Sequence, residues 1–274
     1  MTRTLLFDLD ETLVVEEPAA VAAFDATAQL AAHRYPLDGA QLARAARTRA
    51  RELWRAAPTY AYCLRVGISS WEGLWCRFEG DDPSVRALAS WAPTYRQQSW
   101  KRALADQHVQ DDGLAEELGE LFGIERRRRH EVFADVLSSL TAARRSHQLG
   151  LITNGASCLQ REKLEASGLT GFFKAIVISG DLGVGKPDPV IFRHALSLLE
   201  ADPREATMIG DSMTRDVDGA SSIGLRAIWL NRFNRPRPAE RPDVTEITTL
   251  TELLLRVDAV LTVTALLRTR ALPL

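Results

Sequence analysis

Seven polar residues stand where their types and spacing permit chemistry. Short apolar runs of the chain end at Asp8 and Asp10, at Thr153 and Asn154, and at Asp211, with Asp216 five residues further on. The loop after another such run, Gly-Val-Gly-Lys-Pro, carries Lys186. Open parallel sheets bind ligands beyond the carboxyl ends of their strands. Four carboxylates gathered at one such edge repel one another unless a cation sits among them. An oxygen-only donor set, without His or Cys, suits Mg²⁺, which takes a few carboxylates and keeps several waters. A Mg²⁺ beside a lysine and a threonine hydroxyl is a receptor for a phosphoryl group. Cation and Lys186 would neutralise its equatorial oxygens, and Thr153 would donate a hydrogen bond.

Those residues need elements to hold them. The run 2–7, TRTLLF, is short and apolar and reads as a buried strand. The runs 149–154, 173–179, 206–210 and 225–230 read likewise, and 244–248 reads as a last edge strand. Helical patterns separate them at 157–168, 187–201 and 214–224, the first and last stopping at glycines. Alternating strands and helices predict an α/β fold, a doubly wound parallel sheet covered on both faces, Rossmann-like in kind.

Between the first strand and the rest, the pattern changes. From about Glu16 to Arg129 strand-like runs vanish, and Ala, Leu, Arg and Glu recur at helical spacing in 18–35, 39–57 and 111–122. Pro18 and Asp38 are placed to open helices, at the first position and the N-cap. The expected organisation is a discontinuous core of 1–15 and 130–257, an inserted all-helical domain of 16–129, and a helical tail of 258–274. The Pro- and Arg-rich stretch 231–243 reads as a surface loop.

Composition narrows the function classes. The 274 residues are 46% apolar and 26% charged, which excludes disordered and collagen-like chains. A net charge of -2, from 34 basic and 36 acidic residues, provides no global field for nucleic acid. Cys63, Cys76 and Cys158 are too few and scattered for a disulfide framework or a zinc site, so a reducing, cytoplasmic setting is expected. Two aspartates interrupt the stretch where a signal peptide needs its apolar run, and Arg256, Asp258, Arg268 and Arg270 interrupt the apolar tail, so no membrane partner is expected. Monomer and homodimer both stay open. The chain has four lysines, at 101, 163, 174 and 186, so any lysine chemistry uses one of these positions.

Taken in order, the motifs resemble those of the haloacid dehalogenase-like hydrolase superfamily. FDLDETL (7–13) is similar to its Asp-x-Asp-x-Thr motif, LITNG (151–155) to its second motif, GVGKPDP (183–189) to its lysine motif, and IGDSMTRD (209–216) to its acidic fourth. The helical insert sits where that family places a type C1 cap. Glu11 departs from the Gly that many members carry, without consequence expected for activity. The resemblance implies roles. Asp8 would be the nucleophile that forms an aspartyl-phosphate, and Asp10 the general acid and then general base. Mg²⁺ would be held by the Asp8 and Asp211 carboxylates and the Asp10 carbonyl. Thr153, Asn154 and Lys186 would bind the phosphoryl group, with Asp216 and Ser212 in support. Gly183 and Gly185 would let the lysine loop approach closely.

The implied function is a Mg²⁺-dependent phosphomonoesterase acting on a small phosphorylated metabolite, a sugar phosphate or a nucleotide. A phosphomutase similar to β-phosphoglucomutase is the alternative, and a catalytically silent scaffold stands behind both. A dehalogenase attacks carbon without metal and has no use for an acid at Asp10. Within the insert, aromatics at helical spacing are read first as core, with Arg65, Trp71 and Arg96 as candidate substrate contacts. The run Arg126 to Arg129 is expected to be a solvated helix end, and Cys158 a helix-facing thiol.

Overall fold

The computed structural model describes residues 3–256, so the expected helical tail 258–274 lies outside the described residues. Six strands form one sheet: β1 (Arg3–Phe7), β2 (His147–Thr153), β3 (Ala175–Ile178), β4 (Ala206–Gly210), β5 (Arg226–Leu230) and β6 (Thr245–Ile247). All pairs are parallel, in the order β3-β2-β1-β4-β5-β6. The strands are short and apolar because both faces are covered. Leu5, Phe7, Leu149, Leu151 and Ile209 face one side, onto Val136 and Leu140 of α7 (Val136–Ala143). Leu6, Ile152 and Met208 face the other, onto Ile191, Phe192 and Leu199 of α10 (Pro189–Leu199). That alternation is the two-residue period of a pleated strand.

Six helices lie between β1 and α7: α1 (Glu17–Arg34), α2 (Gly39–Trp54), α3 (Tyr60–Val66), α4 (Ser70–Gly73), α5 (Pro83–Ala105) and α6 (Asp112–Arg127). Asp38 caps α2 through Gln41 N at 3.0 Å, as its sequence position predicts. Pro18 takes the second helical position of α1 rather than the first. Helices α1, α2, α5 and α6 pack on one another, with Phe24, Tyr95, Trp100 and Phe122 sealed inside. The Phe24 and Phe122 rings lie 4.4 Å apart. The same apolar cluster runs on to Ala156 and Leu159, at the start of α8 (Ser157–Ala166), so the helical block is packed against the sheet half there.

One element departs from expectation. The segment after β4 does not enter an α-helix at Thr214. It makes a π-helical turn, Met213–Asp218, and only then a short α-helix, α11 (Gly219–Ser221). Ser212 caps the turn by accepting from Arg215 N at 3.2 Å. Its own N–H donates to the Asp216 carboxylate at 3.0 Å, which folds Asp216 back toward β4. Such single π turns concentrate at functional sites. No helix among the described residues is long and apolar enough to cross a membrane.

Close packing of α10 on the sheet depends on Gly150. A Cβ there would stand 2.6 Å from Leu199 Cδ1 and 2.9 Å from Leu6 Cδ2. Gly150→Ala is expected to destabilise the protein by about 1–3 kcal/mol, the usual cost of overpacking a core. Urea unfolding followed by circular dichroism checks this, and an unchanged midpoint would contradict it.

Candidate active site

The strand order reverses direction between β1 and β4. Strands β2 and β3 lie to one side, and β5 and β6 to the other. This is the switch point at which a crevice opens beyond the carboxyl ends. The ladder runs one residue past β1, with Asp8 N donating to Ile209 O at 2.9 Å. That bond sets Asp8 beside the end of β4, where Asp211 follows Gly210. Carboxylate oxygens of Asp8, Asp211 and Asp216 all lie within 4.8 Å of one another. Gly210 makes room for this: a Cβ there would stand 2.2 Å from the Asp216 carboxyl.

Lys186 is the buried counter-charge. Its Nζ lies 2.5 Å from Asp8 Oδ1, 2.7 Å from Asp216 Oδ1 and 2.8 Å from Ile152 O. Burial opposes the ammonium, yet Asp216 and Asp8 outweigh it and hold Lys186 above the ordinary lysine range. Burial pushes the Asp8 carboxyl well above the usual carboxylate range; Lys186 pulls it down, while Asp216, Asp211 and Asp10 push it further up. Burial, then Asp216, pushes Asp211 up to about 6, against Arg235 Nη1 at 3.2 Å. Two of the three carboxylates thus share one buried ammonium, the third meets the half-exposed Arg235 guanidinium, and every donor is oxygen. That surplus negative charge and donor chemistry fit a hard dication. The triad contains Asp216, read from sequence only as a support, whereas the Asp10 carboxylate lies outside it.

The lysine loop is fastened by Asn154. Its Nδ2 donates to Lys186 O at 2.9 Å, and its Oδ1 accepts from Lys186 N at 2.8 Å. Asn154 lines the cavity, but its amide, expected at the phosphoryl group, is occupied in orienting the lysine. The two glycines serve differently from expectation. Gly185 makes the close approach, where a Cβ would stand 2.7 Å from Asn154 Oδ1. Gly183 meets nothing within 4 Å and is instead required by its φ of 75°. Thr153 is buried, its hydroxyl accepting from Gln160 Nε2 at 2.6 Å.

A second charge cluster escaped the sequence reading. Lys163 of α8, 1% exposed, reaches both Asp10 oxygens at 3.0 and 3.1 Å and Glu72 Oε1 of α4 at 2.9 Å. Glu16 lies 3.2 Å from the same ammonium and is also paired with Arg126 at 2.5 Å. Asp10, Glu16 and Glu72 outweigh burial and raise the Lys163 pKa. Gln160, one turn before Lys163, donates to Asp10 Oδ2 at 2.9 Å. The signal was available: Lys163 is one of four lysines and shares a helix face with Gln160. Thr12 was missed too; its Oγ1 accepts from Asp211 N at 3.1 Å and lies 3.4 Å from Asp8 Oδ2. Of the arginine run, Arg128 is exposed as expected of a solvated helix end, but Arg126 and Arg127 are not. Arg126 is 1% exposed and stacked over Trp75, and Arg127 pairs with Glu162 at 2.6 Å.

Above the carboxylates lies a cavity of about 580 Å³. Its floor includes Asp8, Asp10, Lys186, Asp211 and Ser212; its upper wall is built by α2, α3 and α4. Of the three candidate substrate contacts, only Trp71 lines it. Arg65 instead ties α3 to the lysine loop, Nε donating to Gly183 O at 2.8 Å and its carbonyl accepting from Gly185 N at 3.0 Å. Arg96 donates to Cys76 O within the helical block. Arg51, Arg55 and Arg215 line the cavity unanticipated.

Known proteins resemble this chain in sequence and in fold. A family model for haloacid dehalogenase-like hydrolase matches residues 2–224. Over 244 residues the chain is 39% identical to a phosphoserine phosphatase of Thermus thermophilus, covering 88% of this chain and 94% of that protein. The structure of a 2-haloacid dehalogenase from Pseudomonas syringae aligns with TM-score 0.59 at 27% identity, covering 94% of this chain and 99% of that one. The magnesium-bound hydrolase YfnB from Bacillus subtilis aligns with TM-score 0.63 at 24% identity, covering 93% and 98%; at that identity the likeness concerns the fold.

Cys158 of α8 lies 3.7 Å from Cys76, sulfur to sulfur. The Cys76 hydrogen bond pulls the Cys158 thiol down to about 6 against the effect of burial, while burial pushes the Cys76 thiol up. Iodoacetamide is therefore expected to alkylate Cys158 first, with a rate that reaches half its plateau near pH 6. Cys76→Ala should move that midpoint upward toward about 8.5, the value of a free thiol. A midpoint unmoved by Cys76→Ala would remove the hydrogen bond as the cause.

Proposed function

The chain belongs to the haloacid dehalogenase-like hydrolases, and from that membership we propose that it is a Mg²⁺-dependent phosphomonoesterase working through an aspartyl-phosphate on Asp8. The observation that carries this reading is the buried Asp8, 2.5 Å from Lys186, with the Asp211 and Asp216 carboxylates beside it at the switch point. A nucleophile that attacks carbon needs no such oxygen-donor cluster, and the combination of Asp10 with Asp211 favours phosphorus over the carbon–halogen bond. The phosphoserine phosphatase relative, matched over most of both chains, supports a small phosphomonoester as substrate.

The Asp8 carboxylate would attack phosphorus in line with the leaving oxygen, forming the acyl-phosphate bond as the ester P–O bond breaks. Asp10, which lines the same cavity, would give its proton to the leaving alkoxide. It would then take a proton from the water that attacks the aspartyl-phosphate, releasing phosphate and restoring Asp8. The Lys186 ammonium would neutralise the equatorial oxygens, whereas Thr153, buried against Gln160, does not line the cavity. A Mg²⁺ held by Asp8 and Asp211, with the Asp10 carbonyl, would supply further charge neutralisation at the phosphoryl group. The helical block 16–129 would act as the cap that keeps bulk water from the site. Lys163 and Gln160 would fix the Asp10 carboxyl without touching substrate.

Phosphate release from a panel of sugar phosphates, nucleotides and phosphoserine, with Mg²⁺ or with EDTA, tests the proposal. Release is expected with Mg²⁺ and lost with EDTA. Asp8→Asn is expected to lower turnover by about 10⁴-fold or more with an unchanged circular dichroism spectrum. Turnover near that of the parent would eliminate Asp8 as the nucleophile. Asp211→Asn should raise the Mg²⁺ concentration needed for half-maximal activity and lower the rate together. Unchanged activity at low Mg²⁺ would refute the metal assignment.

A further inference from the structure

The charges lining the cavity do not balance within the protein. Every acid there is engaged. Asp8 and Asp216 take Lys186, Asp211 takes Arg235, and Asp10 takes Lys163. On the upper side Glu16 takes Arg126 and Lys163, Glu17 takes Arg47, and Glu11 accepts from the N–H groups of Glu16 and Glu17. The arginines differ. Arg47, Arg51 and Arg55 recur at four-residue spacing along one face of α2 and its C-cap. Arg47 is satisfied by Glu17 and lies over the Trp71 ring. Arg51 and Arg55 line the cavity and have no carboxylate, carbonyl or ring partner among the described residues. Arg215, on the turn after β4, lines the same cavity and is also without a side-chain partner among them.

We propose that Arg51 and Arg55 form a second anion subsite, and that the substrate is a small phosphomonoester bearing another anionic group, a carboxylate or a second phosphoryl, at its far end. This rests on the phosphomonoesterase reading of the floor and extends it to the part of the substrate that does not react. The floor takes the scissile phosphoryl group among Asp8, Lys186 and the metal ligands. The opposite wall presents two guanidinium groups whose planar forks match a carboxylate or phosphoryl oxygen pair. Trp54, Tyr60 and Trp71 line the same cavity and would give the carbon skeleton an apolar surface. Arginines held open in a partly enclosed cavity discriminate well, because a ligand lacking the anion leaves them unpaired.

Binding to the Asp8→Asn protein with Mg²⁺, measured by calorimetry, tests the subsite without turnover. O-phospho-L-serine is compared with O-phosphoethanolamine, which lacks only the carboxylate, and fructose 1,6-bisphosphate with fructose 6-phosphate. The doubly anionic member of at least one pair is expected to bind about ten-fold tighter or better, as charge-assisted hydrogen bonds to arginine imply. The pair that shows the preference identifies carboxylate or phosphoryl as the second group. Adding Arg51→Ala and Arg55→Ala should abolish the preference, and Arg51→Lys with Arg55→Lys should restore part of it. Both arginines are exposed, so these substitutions leave the fold intact. Equal binding within both pairs, an absence of binding by all four compounds, or a preference that survives the double alanine variant would overturn the subsite. Hydrolysis of p-nitrophenyl phosphate by the unaltered protein is scored separately. Its failure counts against the phosphomonoesterase reading, not against the subsite.

Discussion

The structure is organised around one buried ammonium. Lys186 lies between Asp8 and Asp216, 2.5 and 2.7 Å from their oxygens, almost fully buried at the cavity floor. Desolvating such charges costs several kcal/mol per ion, and only close geometry repays it. Each nearby peculiarity serves that geometry. The Asn154 amide clamps both sides of the Lys186 backbone. A side chain at Gly210 would evict the Asp216 carboxyl. In the π turn, the Asp216 carboxylate folds back to the strand end and accepts from Ser212 N. The parallel sheet contributes the switch point, which sets Asp8 and Asp211 on adjacent strand ends. With Lys186 and the half-exposed Arg235 facing three carboxylates, the site keeps a surplus negative charge, which makes it receptive to a cation.

A second lysine joins the two halves of the molecule. Lys163 stands on α8, below the helical block, and meets Glu72 of α4 and Glu16 at the entry to α1. Glu72 has a double duty, since it also closes the capping box with Ser69 that begins α4. The orientation of α4, whose Trp71 lines the cavity, is therefore tied by one ammonium to the carboxyl of Asp10. Arg126 completes the cluster from α6, held between Glu16 and the Trp75 ring. Under the proposed mechanism, substrate contact at the upper wall and proton transfer at Asp10 would share one charged link. A hydrophobic interface would hold the halves together as well but would not connect these two functions.

Most of the sheet and its edge were legible because strand ends carry their own punctuation. Asp8, Thr153 and Asp211 each follow an unbroken apolar run, and the period-two burial of Leu5, Leu6 and Phe7 needs no tertiary information. The π turn was not legible: Thr214 to Gly224 has an ordinary helical pattern, and the partners that Asp216 meets within the turn's surroundings, Lys186 and Ser212 N, are not marked by that pattern. The arginine run was misread for a related reason. A basic tetrapeptide at a helix end looks solvated unless its acids are known, and Glu16 lies 110 residues before Arg126. Arg65 and Arg96 were plausible substrate contacts by type, but backbone carbonyls occupy them. Partners distant in sequence decide which charges remain free, and sequence pattern does not report them.

Asp8 and Asp10 show how environment separates two like groups on one strand end. They are two residues apart in an extended segment, yet each has its own lysine. Lys186 approaches Asp8 from the loop after β3, alongside Asp216 and Asp211. Lys163 approaches Asp10 from α8, alongside Glu16, Glu72 and Gln160. Had they shared one cation, displacement of a proton at one would have changed the charge balance at the other directly. Separate counter-charges hold the two carboxyls from different sides, Asp8 from the lysine loop and Asp10 from α8. Under the proposed mechanism Asp8 must be ionised to attack phosphorus, while Asp10 must exchange a proton with the leaving group and then with water. The first task calls for a carboxylate fixed beside a phosphoryl-binding cation, which the sheet edge supplies. The second calls for a carboxyl at the boundary with the helical block, where the leaving group and the water arrive. Asp10 is held there, partly exposed to the cavity, by donors that do not touch Asp8.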